Sequence, residues 1–475
     1  MTKSNLALLA IRNGGNLTKR QKIQLTWQLS LPAIMAQFSF IIMVYIDSSM
    51  VGSLGAECSA AVGLVSTSTW LISGLAEAIV VGFAVMVSHR IGANNYISAR
   101  SVLRQSISTC LIFSSLLTLC SIVISFPLPH LLNGGDDICE DASSYFFIFS
   151  CSLIFLQFNY LGASMLRSSG NVKIPCILNI LLCFLDVIFN YFLIYNSHTI
   201  DIFSFHIEFS GFGLGVSGAA LGTALAYFVV SILMMSYLIF KSKELSLLID
   251  KGSFKPTKKC VLSALKIGLP VGVERSVMSL AAITITAIVA PLGNVAIAAD
   301  TFAVTIEGFC YMAGYGISDA ATTLIGQCVG AGRRCLAKSF AYITTILGVI
   351  TLTIFSTLMY FFCPFLLEIM TPVAEIVSSG VEILRIEAFA EPMFAVAIVS
   401  YGVFVGAGDS LIPSIMNLAS MWFIRIPLVI FLASFLGLKG VWIAMAIELI
   451  LRGLFFLFRL RSSRWLKYTI KSSKL

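Results

Sequence analysis

Residues 31–55 read LPAIMAQFSFIIMVYIDSSMVGSLG, and residues 269–293 read LPVGVERSVMSLAAITITAIVAPLG. Both open on Leu-Pro, close on Leu-Gly and are apolar over most of their length, and they stand 238 residues apart. The same offset carries Gly92-Ala93 onto Gly330-Ala331, Ala99 onto Ala337, Gly170 onto Gly408, Pro175 onto Pro413 and Asn179 onto Asn417. Beyond that the register changes: Leu214-Gly215 and Gly218 match Leu436-Gly437 and Gly440 at an offset of 222. The chain is therefore expected to consist of two similar halves, the first holding about 16 extra residues between Asn196 and Gly213.

Composition says what the halves are made of. Of 475 residues, 58% are hydrophobic and 11% charged, a balance that soluble globular domains do not normally carry. Apolar runs of about 20 residues, enough to cross a bilayer as a helix, recur near 25–50, 59–88, 102–126, 143–165, 174–195 and 213–240. A second set lies near 260–290, 296–326, 339–363, 377–406, 412–435 and 440–460. These runs are continuous and do not alternate polar with apolar residues, which excludes a transmembrane barrel. The expected fold is an all-α membrane protein of twelve transmembrane helices in two pseudo-symmetric six-helix bundles. An N-terminal tail (1–24) leads into a first lobe (25–240), a basic linker (241–259), a second lobe (260–460) and a C-terminal tail (461–475). Six spans is an even number, so both halves insert the same way and are related by an axis along the membrane normal, a geometry suited to rocking one lobe against the other. The linker is long enough to let the lobes move.

Basic residues orient the chain, because Lys and Arg accumulate in cytoplasmic loops. With the N-terminus inside, all but four of the 31 Lys and Arg fall in cytoplasmic segments; Lys439 lies outside, and Arg275, Arg385 and Arg425 lie within spans. The acidic loop Asp136, Asp137, Glu140, Asp141 falls outside. Both termini are thus expected to be cytoplasmic, in a cell inner membrane. The net charge of +8 is a topology signal, and no nucleic-acid partner is expected. The twelve Cys show no CxxC pair, and His89, His130, His198 and His206 are read as loop residues, so neither disulfides nor a metal site is expected.

Acidic residues inside the spans carry the functional signal: Asp47, Glu77, Asp186, Glu274, Asp300, Glu307, Asp319, Glu382, Glu387, Glu391 and Glu448, against three Arg. A buried unpaired charge is costly, so such residues face a cavity or a partner and mark pathways. Asn179 stands seven residues before Asp186, nearly two turns, and Asn190 one turn beyond it. Asp47, Asp186, Asn179 and Asn190 are therefore the candidate site for a proton or hard monovalent cation. In the second half, Arg275, Arg385 and Arg425 are candidates to neutralise Glu307, Glu387 and Glu391, while Glu382 and Glu448 are read as reaching an interface. A cavity between the lobes is expected to be lined by Glu274, Glu307, Glu391, Met43, Met278 and Tyr311, since thioethers and aromatic faces accept varied apolar cations.

The motifs resemble those of the MATE family, multidrug and toxic compound extrusion, over nearly the whole chain. They are LPAI at 31–34, IDSSMVGSLG at 46–55, GASMLRSSGN at 162–171, GLP at 268–270, PLG at 291–293, TLIGQCVGAG at 323–332 and GAGD at 406–409. The resemblance implies two six-helix bundles forming a V that exports organic cations in exchange for Na+ or H+, with Asp47 and Asp186 matching acids thought to bind the coupling ion. Two departures stand out. Many relatives carry Asn one turn before the helix-five acid, where this chain has Leu182, and some place an acid two turns after the helix-seven Pro, where it has Met278 and Glu274 lies one turn nearer. The expected function is secondary active efflux of cationic or amphipathic small molecules by a monomer, with no cofactor beyond the coupling ion. The alternative is a flippase or exporter of lipid-linked or polysaccharide precursors, whose cavity would be rich in basic residues. An enzyme is not expected: no DDxxD, HExxH or membrane-embedded His is present.

Overall fold

The apolar runs fold as long helices in the computed structural model, which describes residues 3–132, 134–202 and 205–467. A short helix α1 (Lys3–Arg12) precedes the first lobe, which holds α2 (Lys19–Gly52), α3 (Ala56–Gly92), α4 (Tyr96–Ser125), the short α5 (Leu128–Leu131), α6 (Asp136–Ser168), α7 (Lys173–Ile194) and α8 (Gly215–Ser236). The second lobe holds α9 (Lys258–Val289), α10 (Asn294–Gly330), α11 (Arg334–Met370), α12 (Ala374–Glu387), α13 (Glu391–Gly406), α14 (Leu411–Ser420), α15 (Ile426–Leu436) and α16 (Leu438–Ser462). Among the described residues, eleven helical spans are long and apolar enough to cross a membrane; α12 and α13 add a twelfth that is bent by 59°. Pro392, in the first turn of α13, has no N–H to bond back to the previous turn, which accounts for the break.

The segment expected as a loop between Asn196 and Gly213 is an antiparallel hairpin, β1 (Asn196–Ile202) paired with β2 (Phe205–Phe212). It has no counterpart between α15 and α16, where Gly437 alone intervenes, so the hairpin is the extra length behind the change of repeat offset. The starts of the elements follow ordinary chemistry. Thr18 caps α2, its side chain accepting from the Gln21 amide while Gln21 reaches back to the Thr18 backbone, two otherwise orphaned donors satisfied reciprocally.

The lobes join at the end that carries the N-terminus. There α3 crosses α10 at the two glycines that the repeat aligned: a methyl on Gly92 would lie 2.1 Å from the carbonyl oxygen of Gln327, and one on Gly330 would lie 2.0 Å from that of His89. The contact is reciprocal, each lobe's glycine seating the other lobe's backbone. Polar bonds surround it. Ser88 donates to the Thr323 carbonyl, Gln327 donates to the Ser168 carbonyl, and His89 Nε2 lies 2.8 Å from the Gly406 carbonyl. His89 is thus a buried residue in the last turn of α3, not the loop residue its sequence position suggested.

Residues 3–12, expected as plain tail, form an integral part of this closure. Leu8 and Ile11 are buried in the second lobe's core. The Arg12 guanidinium reaches three bodies at once: Gln327 Oε1 in the second lobe at 3.2 Å, the Ser169 carbonyl in the first at 2.8 Å, and Glu244 Oε1 in the linker at 3.1 Å. Arg333 of the second lobe donates to the Ala10 and Gly15 carbonyls, and Asn94 of the first donates to the Arg12 carbonyl. The linker is likewise more than a tether, being held against α4 by ion pairs from Arg100 and Arg104 to Asp250. Desolvation pushes the Asp250 pKa up, but hydrogen bonds from Arg104 and Arg100 outweigh it and hold the carboxyl below its ordinary value.

A methyl group at Gly330 has to displace backbone, which side-chain repacking cannot relieve. Gly330→Ala is therefore expected to destabilise the protein by about 3 kcal/mol, the upper end for an overpacked site, whereas Gly63→Ala, where an added methyl meets nothing within 4 Å, leaves stability unchanged or slightly raised. Thermal unfolding of the purified variants in detergent checks the contrast.

Candidate functional site

Helices α2 and α7 pack side by side in the first lobe and bring Asp47 and Asp186 to one amide. Asn190 Nδ2 donates to Asp47 Oδ1 at 2.8 Å and to Asp186 Oδ2 at 3.2 Å. Asp186 and Asn190 are fully buried, while Asp47 is half-buried. Two acceptor oxygens, Asp186 Oδ1 and Asn190 Oδ1, have no hydrogen-bond partner among the described residues. Two carboxylates, one shared amide donor and two unclaimed oxygens form an electron-rich cage with no cationic side chain bonded to it among the described residues. A buried charge of this kind is compensated by taking up a proton or a hard cation.

The position of the Asn190 amide depends on Gly222 of α8, where a methyl would stand 2.0 Å from Asn190 Oδ1. Sequence reading missed Gly222; no motif or repeat marked it. Asn179 is half-buried, and no hydrogen bond joins it to the pair, so of the two candidate amides the fold uses Asn190. Leu182, one turn before Asp186, is buried in an apolar cluster. Met43, expected on the cavity wall, belongs to that same cluster with Leu153, Leu156 and Tyr227; it is 3% exposed and faces the bundle core.

The second lobe does not reproduce the pair: the 238-residue offset carries Asp47 onto Ile285 and Asp186 onto Ile424. Its acids are arranged differently. Glu274 accepts from Tyr401 Oη and from Asn417 Nδ2, both at 2.6 Å. Asn417 is the repeat partner of Asn179, a signal that could have found this contact. Glu307, Glu387 and Glu391 lie buried inside the bundle, at the α12–α13 bend and the facing part of α10. No hydrogen bond reaches the carboxylates of Glu387 or Glu391 among the described residues.

Among the described residues, none of the arginines expected to neutralise these three forms an ion pair with them. Arg425 and Arg452 both pair with Glu448, at 2.8 and 2.7 Å. Glu448 is fully buried, which corrects its reading as an interfacial residue, and Arg452 is a core residue. Arg385 lies over the Tyr360 ring, and Arg275 sits 3.7 Å from Glu77 of the other lobe. Glu382 does reach the surface, where it pairs with Lys439. Across the lobe boundary Arg167 lies 3.8 Å from Asp319, which also accepts from Gln37. Nearby, Tyr311 packs edge-on against Tyr315 and Phe394. Met278 packs beside Ala281, Met421 and Ile426.

Comparison with known proteins places this architecture. The MatE family model matches residues 32–192 and again residues 270–431, once in each half. The chain belongs to the MATE transporter family. A relative from Thermotoga maritima, named "Probable multidrug resistance protein NorM", is 26% identical over 450 residues, covering 93% of both chains. Among solved structures, one described as an outward-facing conformation of a multidrug resistance MATE family transporter superposes with a TM-score of 0.85 at 21% identity, covering 96% of this chain and 98% of that one. A Pyrococcus furiosus transporter of the MOP superfamily, described as having a binding pocket of reverse polarity, gives 0.85 at 20% identity, with 96% and 98% covered. The protein is a multi-pass MATE efflux transporter, and its relatives are transporters rather than enzymes.

Gly222→Ala is expected to push the Asn190 carboxamide off the two carboxylates and to cost about 1–3 kcal/mol. If that contact is the cause, Gly222→Ala combined with Asn190→Gly costs less than the sum of the single changes, a coupling that a double-mutant cycle of thermal unfolding measures.

Proposed function

We propose that this transporter exports organic cations in exchange for Na+ or H+, and that the Asp47–Asp186–Asn190 cage is where the coupling ion binds. The observation that carries the reading is the pair of carboxylates held to a single amide, with two further oxygens unclaimed and no basic side chain bonded to them. Taking up a positive ion relieves the repulsion between α2 and α7, and releasing it restores that repulsion. An ion that binds one arrangement of the lobes better than another shifts the population toward it by no more than that difference in affinity. Cargo that favours the opposite arrangement is then driven out as the ion is drawn in.

A cationic cargo fits the charge balance of the spans. Arg275 and Arg167 stand beside Glu77 and Asp319 at the lobe boundary, so that each of these two guanidiniums already has a carboxylate near it. Glu274 and the rings of Tyr311 and Tyr315 lie on the helices that face the first lobe, where aromatic faces attract apolar cations. The excess of Lys and Arg at the end bearing α1 and the linker supports an orientation with both termini in the cytoplasm of a cell whose inner membrane holds the protein.

Asp47→Asn is expected to abolish gradient-driven efflux of cationic dyes from proteoliposomes while leaving the protein folded, because an amide cannot exchange a proton or balance a cation. Imposed Na+ and pH gradients applied separately identify the coupling ion. Undiminished transport by this variant under both gradients would remove the cage from the mechanism.

A further inference from the structure

The linker between the lobes carries a face that the transport reading does not use. It folds onto the first lobe: Leu245 is fully buried, Ser246 donates to the Ile239 carbonyl, and the backbone and hydroxyl of Thr257 both donate to Gln105 Oε1. Its two acids turn inward, Glu244 to Arg12 and Asp250 to Arg100 and Arg104. What remains on the outer side is apolar and basic. Leu248, Ile249 and Phe254 are 70%, 61% and 48% exposed, and Lys251, Lys255 and Lys258 are exposed among them.

Position along α4 decides what meets this face. Arg100 and Arg104, which hold the linker, stand four and eight residues past the start of α4, about 6 and 12 Å down its axis. The linker therefore lies along the flank of a spanning helix, and the lipid-facing residues of that helix, Leu111 and Ile112, begin about two turns further on. A second copy of this chain would bring lysines against lysines. A leaflet of anionic phospholipid offers both complements, acyl chains for Leu248, Ile249 and Phe254 and phosphates for the lysines. Neither signal alone anchors a segment firmly, but apolar insertion with a basic patch does.

We propose that residues 246–258 form an interfacial strap that docks on anionic phospholipid and fixes the first lobe to the leaflet, so that the second lobe swings about the Thr257–Lys258 junction. The strap is a lipid-binding surface and makes no contact with the ion cage, so its test is independent of transport.

The full-length protein is reconstituted in nanodiscs of phosphatidylcholine alone and in discs containing phosphatidylglycerol, and amide hydrogen exchange is followed over residues 246–256. Exchange is expected to slow by roughly tenfold or more in the anionic discs, given the attraction of several lysines to an anionic surface. Lys251→Gln with Lys255→Gln and Lys258→Gln should remove that difference, and Leu248→Ser with Ile249→Ser should speed exchange in the anionic discs, while peptides of α4 stay protected in every variant. Equal exchange in the two kinds of disc overturns the proposal. So does lipid protection that survives loss of the three lysines, or equal protection by inorganic phosphate in neutral discs, which would mean an anion site without a membrane surface.

Discussion

Two helices can cross at backbone distance only where neither presents a side chain, and the crossing of α3 and α10 at Gly92 and Gly330 meets that condition from both sides. The rest of the architecture is arranged around it. Because the carbonyls of His89 and Gln327 occupy the space of the missing methyls, Ser88, His89 and Gln327 come within bonding distance of the opposite lobe. Apolar surface gains little by pairing helices in lipid, which is itself apolar, so close van der Waals contact and buried hydrogen bonds supply the association. The lobes meet through a dense joint that continues along α2 against α10 and α3 against α9, where Gly82, Gly268 and Gly316 also seat the opposite lobe's backbone.

Chemistry is divided unequally between halves that share a fold. The first lobe has a carboxylate pair bridged by Asn190. In the second lobe the equivalent positions are Ile285 and Ile424, and the acids collect instead at Glu274, at the α12–α13 bend and around Arg425 and Arg452. Duplication supplies the scaffold, and the polar contents of each bundle are settled by local neighbours. Gly222, which makes room for the Asn190 amide, has no counterpart in the second lobe's arrangement around Glu274, where Tyr401 and Asn417 do the holding.

The spans and the repeat were legible because both are written in composition and spacing: apolar runs of membrane length, and Gly and Pro recurring at one offset. Asp47, Asp186 and Asn190 were legible because carboxylates are rare in lipid and a one-turn spacing puts Asn190 on the face of Asp186. Partner choice was not. Whether Arg425 meets Glu307 or Glu448 depends on the rotation of α15 and α16 about their axes, which no one-dimensional pattern encodes. The 59° bend was hidden because Pro392 lies inside a run apolar enough to read as one helix. Residues 3–12 looked like a charged tail because Leu8 and Ile11 find their core only after both lobes are assembled.

Arg12 ties both lobes and the linker with one guanidinium, and the consequence is for how this end can part. Parting the lobes at the N-terminal end separates Gln327 from Ser169 and Glu244, and a side chain with one rigid fork cannot follow partners that move apart. A partial parting would leave the same buried charge with only part of its compensation. This end is therefore better satisfied fully shut than standing ajar.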